Sequence, residues 1–231
     1  MNTNTPYNHL PKQLKNRYII QRHGFSLANN DKLICSNPDI AIPPTGGPLG
    51  TGYGLHEKGK VQVKESATRL SKHLFPIQES SKDQSVVMFC SPFKRTVETA
   101  EIIRSVLNET VLEGKVQEPA RTLELRERWY GLFDMTTDEN YKVCWIDDDA
   151  SPDHGENSQY GIESPSSVCE RTTRFIVDEI ESKMENKIVI LVAHGDVCQI
   201  MLTAFKGIEA WRHREIEHVD TAYWRDTLEL Q

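Results

Sequence analysis

Apolar residues gather in three short runs along the chain, and each run stops at polar residues of an unusual kind. Arg17–Gln21 (RYIIQ) leads into Arg22-His23-Gly24, Ser85–Cys90 (SVVMFC) into SPFKRT, and Lys187–Ala193 (KIVILVA) into His194-Gly195-Asp196. Runs this short, rich in Val and Ile and without a polar face, predict strands buried on both sides, as in a parallel sheet. The segments after the second and third runs have helical spacing. Val97, Ala100, Ile103 and Leu107 fall on one face, and Val197, Ile200, Met201 and Ala204 on another. Ser91-Pro92 reads as an N-cap followed by proline in the first turn. Two more helices are predicted. One starts near Leu55 and turns Val61, Ala67, Leu70 and Leu74 inward. The other starts near Ser164, turns Val168, Phe175, Val177 and Ile180 inward, and draws on Ser164 to Ser167 for capping oxygens.

Strands alternating with helices predict an α/β fold: a three-layer sandwich with a mostly parallel central sheet and helices on both faces. Residues 1–16 read as a flexible N-terminal tail and 17–231 as a single domain. Asp31–Gly54, rich in Pro and Gly, and the acidic Asp147–Gly161 read as long surface loops, within insertions near 31–54 and 132–162. The run Asp147-Asp148-Asp149 is expected to be solvated.

Composition narrows the function. A net charge of −7 with both signs interspersed argues against nucleic acid or an anionic membrane as partner. The five cysteines form no C-x-x-C pair, so neither a disulfide framework nor a zinc site is expected. The N-terminus lacks a signal-like apolar core, and the longest aliphatic run is too short to span a bilayer. A cytoplasmic location is expected.

In open α/β sheets, ligands gather outside the carboxyl ends of the strands. Arg22, His23, Arg95 and His194 are therefore expected to share one site. So many cations and imidazoles together would be costly unless an anion sits among them. Guanidinium forks suit phosphate oxygens, and helix N-termini near Ser91 and Gly195 would add backbone N–H groups. The expected ligand is a phosphate. A neutral imidazole among cations can attack phosphorus, and the alkoxide it displaces needs a proton. Glu127, in LELRERWYGLFD, is the candidate donor. A metal site built from His23, His194 and Asp196 is disfavoured, because Arg22 and Arg95 would repel a divalent cation.

RHG with Ser26 and Asn29, SPFKRT, LRERWYG and HGD, in that order from Arg22 to Asp196, resemble the histidine phosphatase superfamily, which includes phosphoglycerate mutase-like enzymes. The resemblance implies that His23 is the phosphorylated histidine and that Arg22, Arg95 and His194 form the phosphate pocket. It implies Glu127 as proton donor, further phosphate contacts from Asn29 and from backbone around Gly24 and Gly195, and substrate contact by Tyr130. The sequence departs from the family pattern in two places. Phe25 stands where Glu or Gln is frequent, and the usual Thr-Gly is replaced by Cys35-Ser36 or by TGYG at Thr51. The activity implied is a metal-independent, cofactor-free phosphomonoesterase of the histidine acid phosphatase type, acting on a small phosphorylated metabolite. The alternatives are a phosphoglycerate mutase-type phosphoryl transfer and a catalytically silent phosphate- or phosphopeptide-binding module. An acidic stretch beyond Gly131, without arginine, favours hydrolysis over the mutase.

Overall fold

The computed structural model describes residues 7–43, 52–76, 85–112 and 116–230. Its main elements are β1 (Arg17–Arg22), α1 (Glu57–Leu74), β2 (Ser85–Cys90), α2 (Lys94–Leu107), β3 (Ala120–Arg121), α3 (Tyr141–Ala150), α4 (Pro165–Phe175), β4 (Lys187–Ala193), α5 (Gly195–Lys206) and β5 (Trp224–Asp226). The strands lie side by side in the order β3-β2-β4-β1-β5, all parallel except β5. This is the three-layer sandwich expected from the sequence. Alternate strand residues face opposite layers. Ile19, Met88, Ile190 and Val192 pack with Val63, Leu70, Ala100 and Ile103 of α1 and α2. Tyr18, Ile20, Val189 and Leu191 pack with Val168, Phe175, Val197 and Met201 of α4 and α5. Because both sheet faces are covered, the strands carry continuous apolar runs.

Several local expectations are corrected. In α1 the inward row is Val63, Ala67, Leu70 and Leu74; Val61 lies about 200° away from Val63 round the helix and is exposed. In the segment following α4, Ile176 and Ile180 are buried and Val177 is only half-buried. Helix α2 begins at Lys94 with Phe93 as an N-cap that makes no side-chain bond, so Ser91-Pro92 does not cap it. Ser164 caps α4 as expected, accepting from Ser167 N. Asp31–Gly54 contains a short helix, Pro38–Ala41, besides loop. The acidic insertion carries helix α3, and Asp148 on it is buried rather than solvated. Tyr141, Cys144, Trp145 and Asp148 share the inner side of α3 by their three- and four-residue spacing, and Asp148 meets the fully buried Arg128. Residues 7–16 lie against the body. Asn8 Nδ2 donates to Ala204 O, and Asn16 Nδ2 to Glu181 Oε1, both at 2.8 Å.

Among the described residues no helix is long and apolar enough to cross a membrane.

Candidate active site

The strand register sets up the site. Arg22 on β1 pairs with Ala193 on β4, and Cys90 on β2 pairs with Val192, so the three strands end side by side. The ladder continues one residue further: His23 N donates to Ala193 O at 3.1 Å and Ser91 N to Val192 O at 3.0 Å. His23 and His194 thus meet edge to face, their ring centroids 5.3 Å apart. The chain can leave β1 this way only because residue 24 is glycine. A Cβ there would come within 2.5 Å of Val63 Cγ2 and 2.8 Å of Gly59 O, so α1 packs directly on the backbone after His23.

His23 Nδ1 lies 2.7 Å from Gly24 O, and Gly24 N is taken by Thr99 Oγ1 at 3.1 Å. A carbonyl can only accept, so Nδ1 carries the proton and Nε2 keeps its lone pair. Nε2 accepts from Arg95 Nε at 3.2 Å. Burial, with Arg95 and then Arg22 beside it, holds the His23 imidazole well below its ordinary range and therefore neutral. Burial and Arg95 do the same to His194, whose Nε2 meets Ser91 Oγ at 2.9 Å.

Arg95 Nη2 donates to Cys35 O at 2.9 Å, and Arg22 Nη1 to Val219 O at 2.8 Å and His218 Nε2 at 3.0 Å. Arg22 Nε, Arg95 Nη1 and His194 Nδ1 are buried with no protein partner. Unpaired buried donors on two guanidinium groups mark a place where an acceptor with several oxygens is missing. Glu127 closes the arrangement. Its Oε1 accepts from Arg128 N at 3.0 Å, whereas Oε2 stands 3.6 Å from both Arg95 Nη2 and His194 Nδ1. Burial pushes the Glu127 carboxyl up to about 7, against the pull of Arg95 and with support from Asp196. With Oε1 already accepting, Oε2 is the oxygen turned toward Arg95 and His194. Arg22, His23, Arg95 and Glu127 line a cavity of about 110 Å³, room for one small group. Among the described residues, no cluster of His, Cys, Asp or Glu is arranged to hold a metal ion.

The family model of the histidine phosphatase superfamily (branch 1) matches residues 18–227. The chain belongs to that superfamily. No curated protein matches it. Among solved structures, this histidine phosphatase family member resembles a mycobacterial glucosyl-3-phosphoglycerate phosphatase, in complex with VO3, at 18% identity and TM-score 0.63, covering 90% of each chain. It also resembles YhfR of Bacillus stearothermophilus at 20% identity and TM-score 0.62, covering 94% of this chain and 97% of that one.

Of the residues singled out in the sequence, Arg22, His23, Ser26, Asn29, Arg95, Glu127, Tyr130 and Gly195 line the cavity. His194 is not in the lining; it is fully buried, with its Nδ1 3.6 Å from Glu127 Oε2. Ser26 and Asn29 form a capping box in which Asn29 Oδ1 accepts from Ser26 N and Oγ, so its Nδ2 is the end left for the cavity. Gly195 lets the Arg22 guanidinium lie flat on the start of α5: a Cβ there would sit 3.3 Å from Arg22 Cζ. Two of the expected residues do not line the cavity. Gly24 is not in the lining, and its amide is already bonded to Thr99. Ser36 is buried away from the cavity, donating to Asp134 Oδ1 at 2.8 Å and accepting from Tyr130 N at 3.2 Å. Thr51, its alternative, lies outside the described residues. Tyr130 spends its hydroxyl on Asp196 Oδ2 at 2.7 Å, so only its ring faces the cavity. Tyr141, Trp145, Asp196 and His218 also line the cavity, and none of them was singled out from the sequence as a lining residue. The four-residue spacing of Tyr141 and Trp145 was the available signal for α3.

Burying so many ionisable groups makes stability depend on pH, and the sign follows from each group. His23, His194 and His213, the last held near 4 by burial, take up protons more readily unfolded, so they cost stability as pH falls below 6.5. Glu127, near 7, and Asp148, pushed up to about 6 by burial, act oppositely until their unfolded values of 4.5 and 3.8 are passed. Each unmatched proton is worth up to about 1.4 kcal/mol per pH unit. The expected result is a shallow loss of stability from pH 6.5 to 4.5. A steeper loss follows below, where Asp196 and Glu163, both held near 2, begin to protonate on unfolding. Urea midpoints across pH 7 to 4 read this directly. Glu127→Gln should steepen the upper window; a midpoint rising steadily toward pH 4 would contradict neutral buried histidines.

Proposed function

We propose that the protein is a phosphomonoesterase of the histidine acid phosphatase type, independent of metal, which hydrolyses a small phosphorylated metabolite through a phosphohistidine on His23. The observation that carries this reading is three buried nitrogens without a protein partner, Arg22 Nε, Arg95 Nη1 and His194 Nδ1, in the neighbourhood of a neutral imidazole whose Nε2 lone pair meets only the Arg95 guanidinium. In the first step Nε2 attacks phosphorus. The N–P bond forms as the P–O bond breaks, and Glu127 Oε2 gives its proton to the departing alkoxide. The arginines stabilise charge on the phosphoryl oxygens, as a metal would elsewhere. With Ser91 Oγ–H donating to His194 Nε2, His194 Nδ1–H becomes a further donor. In the second step Glu127 takes a proton from water as that water attacks the phosphohistidine, releasing phosphate and restoring both residues.

The acidic insertion favours hydrolysis over mutase transfer. Residues 132–155 contain seven Asp or Glu, one lysine and no arginine. Nearby cations are engaged: Arg126 with Glu163 at 2.7 Å, and Arg128 with Asp148 at 2.8 Å. A single lysine there gives little to hold a bisphosphorylated intermediate while it turns round, and the field of the insertion repels one. A silent binding module would not need Glu127 in acid form beside the histidines.

The test supplies 3-phosphoglycerate, with a trace of its bisphosphate, and simple alkyl and aryl monophosphates in EDTA. Phosphate release from monoesters, blocked by vanadate, is expected. Isomerisation outrunning phosphate release tenfold would support the mutase, activity restored only by added zinc or manganese a metal enzyme, and vanadate binding without turnover the silent module.

A further inference from the structure

Arg22 is held in place by a loop, and one of the two groups that hold it is a side chain able to lose its acceptor atom. Residues 217–222, just before β5, are fastened to the end of β1. Ala222 N donates to His23 O at 2.9 Å, and Tyr223 O accepts from Arg22 N at 2.9 Å. The same stretch supplies two acceptors for Arg22 Nη1: Val219 O at 2.8 Å and His218 Nε2 at 3.0 Å. Arg225 on β5 steadies the loop in turn, its Nη2 lying 3.3 Å from His218 O and 3.0 Å from Glu217 Oε2. The His218 ring lines the cavity, with its side chain 48% exposed.

A guanidinium can only donate, so His218 Nε2 accepts, and the ring is neutral with its proton on Nδ1. A guanidinium is also planar and rigid. Holding Nη1 from two sides, with Gly195 packed on the flat face at Cζ, fixes the direction of the edge that carries Nε and Nη2. On that edge Nε is the buried donor without a protein partner. Both acceptors on Nη1 are uncharged. A carboxylate in place of His218 would hold the guanidinium as firmly, but it would cancel the charge that an anion needs. We infer that His218 is a positioning residue for Arg22: its neutral ring, accepting at Nε2, turns the Nε edge of the guanidinium to the incoming phosphate without neutralising it.

The role has a limit in pH. A protonated ring has no acceptor at Nε2 and sets a second cation against Arg22. Burial and Arg22, with help from Arg214, hold the ring below its ordinary value of 6.5. Asp220, with Oδ1 3.8 Å from Nε2, and Asp196 favour the cation. Anchoring is therefore complete at neutral pH and is lost below 6.5, where Asp220 is the anion within reach of the new Nε2–H.

The phosphate in this inference rests on the proposed function, but its binding is measured without turnover, which separates the two. Inorganic phosphate is titrated calorimetrically into wild type, His218→Gln and His218→Leu from pH 7.5 to 5. At pH 7.5 His218→Leu should bind about tenfold more weakly, the worth of one hydrogen bond to a charged group. Glutamine brings a neutral acceptor that does not titrate, and should restore most of the affinity. Toward pH 5 wild type should weaken relative to His218→Gln, and the ionisation of phosphate itself cancels in that ratio. In an Arg22→Lys background, which lacks the planar fork, His218→Leu should add nothing. Equal binding by His218→Leu, a wild type that gains on His218→Gln toward acid, or an additive loss in the Arg22→Lys background overturns the inference. The last two would make His218 a ligand of the anion itself. Should His218→Leu fail to fold, the ratio of wild type to His218→Gln across pH decides. A wild type that binds no phosphate removes the pocket and this role with it, whereas binding without turnover leaves the role standing and refutes only the phosphatase.

Discussion

His23→Ala should abolish turnover while leaving the fold in place, with a loss on the order of 10⁴-fold or more for every phosphomonoester that wild type cleaves. The loss has this size because no neighbour can replace the nucleophile. His194 is the nearest imidazole, but its Nε2 is bonded to Ser91 Oγ and its Nδ1 faces Glu127. The five cysteines are all buried. Cys35, which lines the cavity, is kept from forming a thiolate, since burial raises it despite Arg95. The fold should survive because His23 lies where the sheet ends rather than inside either apolar layer. Its backbone bonds to Ala193 O and from Ala222 N do not involve the side chain. Circular dichroism and urea midpoints near those of wild type, alongside lost activity, are the expected pair. A variant that keeps a tenth of the activity would place the nucleophile elsewhere.

Glu127→Gln should separate substrates by the basicity of what leaves. An alkyl alkoxide cannot depart without a proton, so single-turnover phosphorylation by an alkyl phosphate should slow by on the order of 10²-fold or more. A nitrophenolate leaves unaided, and its phosphorylation step should change far less. In wild type, the acid form that performs this step is lost as pH rises through about 7, the value to which burial raises Glu127. Rates with alkyl phosphates should therefore fall on the alkaline side of that point, and those with nitrophenyl phosphate should not. Steady-state rates blur the contrast, because Glu127 also serves the hydrolysis of the phosphohistidine. Equal single-turnover losses for both substrates would assign Glu127 another task.

The parts legible in the sequence are those in which one chemical demand fixed both pattern and position. Runs such as KIVILVA can be apolar throughout only if covered on both faces, and that requirement led to the parallel sandwich. The strand-end residues Arg22, His23, Arg95 and His194 were legible because they interrupt those runs, and the sheet register then brings three of the interruptions together. Other features were hidden by context. Asp148 reads as solvated in an acidic run, and only the buried Arg128 twenty residues earlier explains why it points inward. Ser36 and Gly24 belong to the right neighbourhood, but their bonds are spent on Asp134, Tyr130 and Thr99. Nothing in the local sequence shows that spending. Asp196 and His218 reach the cavity through a helix start and a C-terminal loop whose docking is set by tertiary packing.

The most direct measurement of the central claim is to mix enzyme with a phosphorus-labelled monoester, quench within one turnover and locate the label. Expected is phosphate that is lost in acid but stable in base, carried on the peptide containing His23, present in wild type and absent from His23→Ala. Label on His194, acid-stable label, or label that persists in His23→Ala would contradict it.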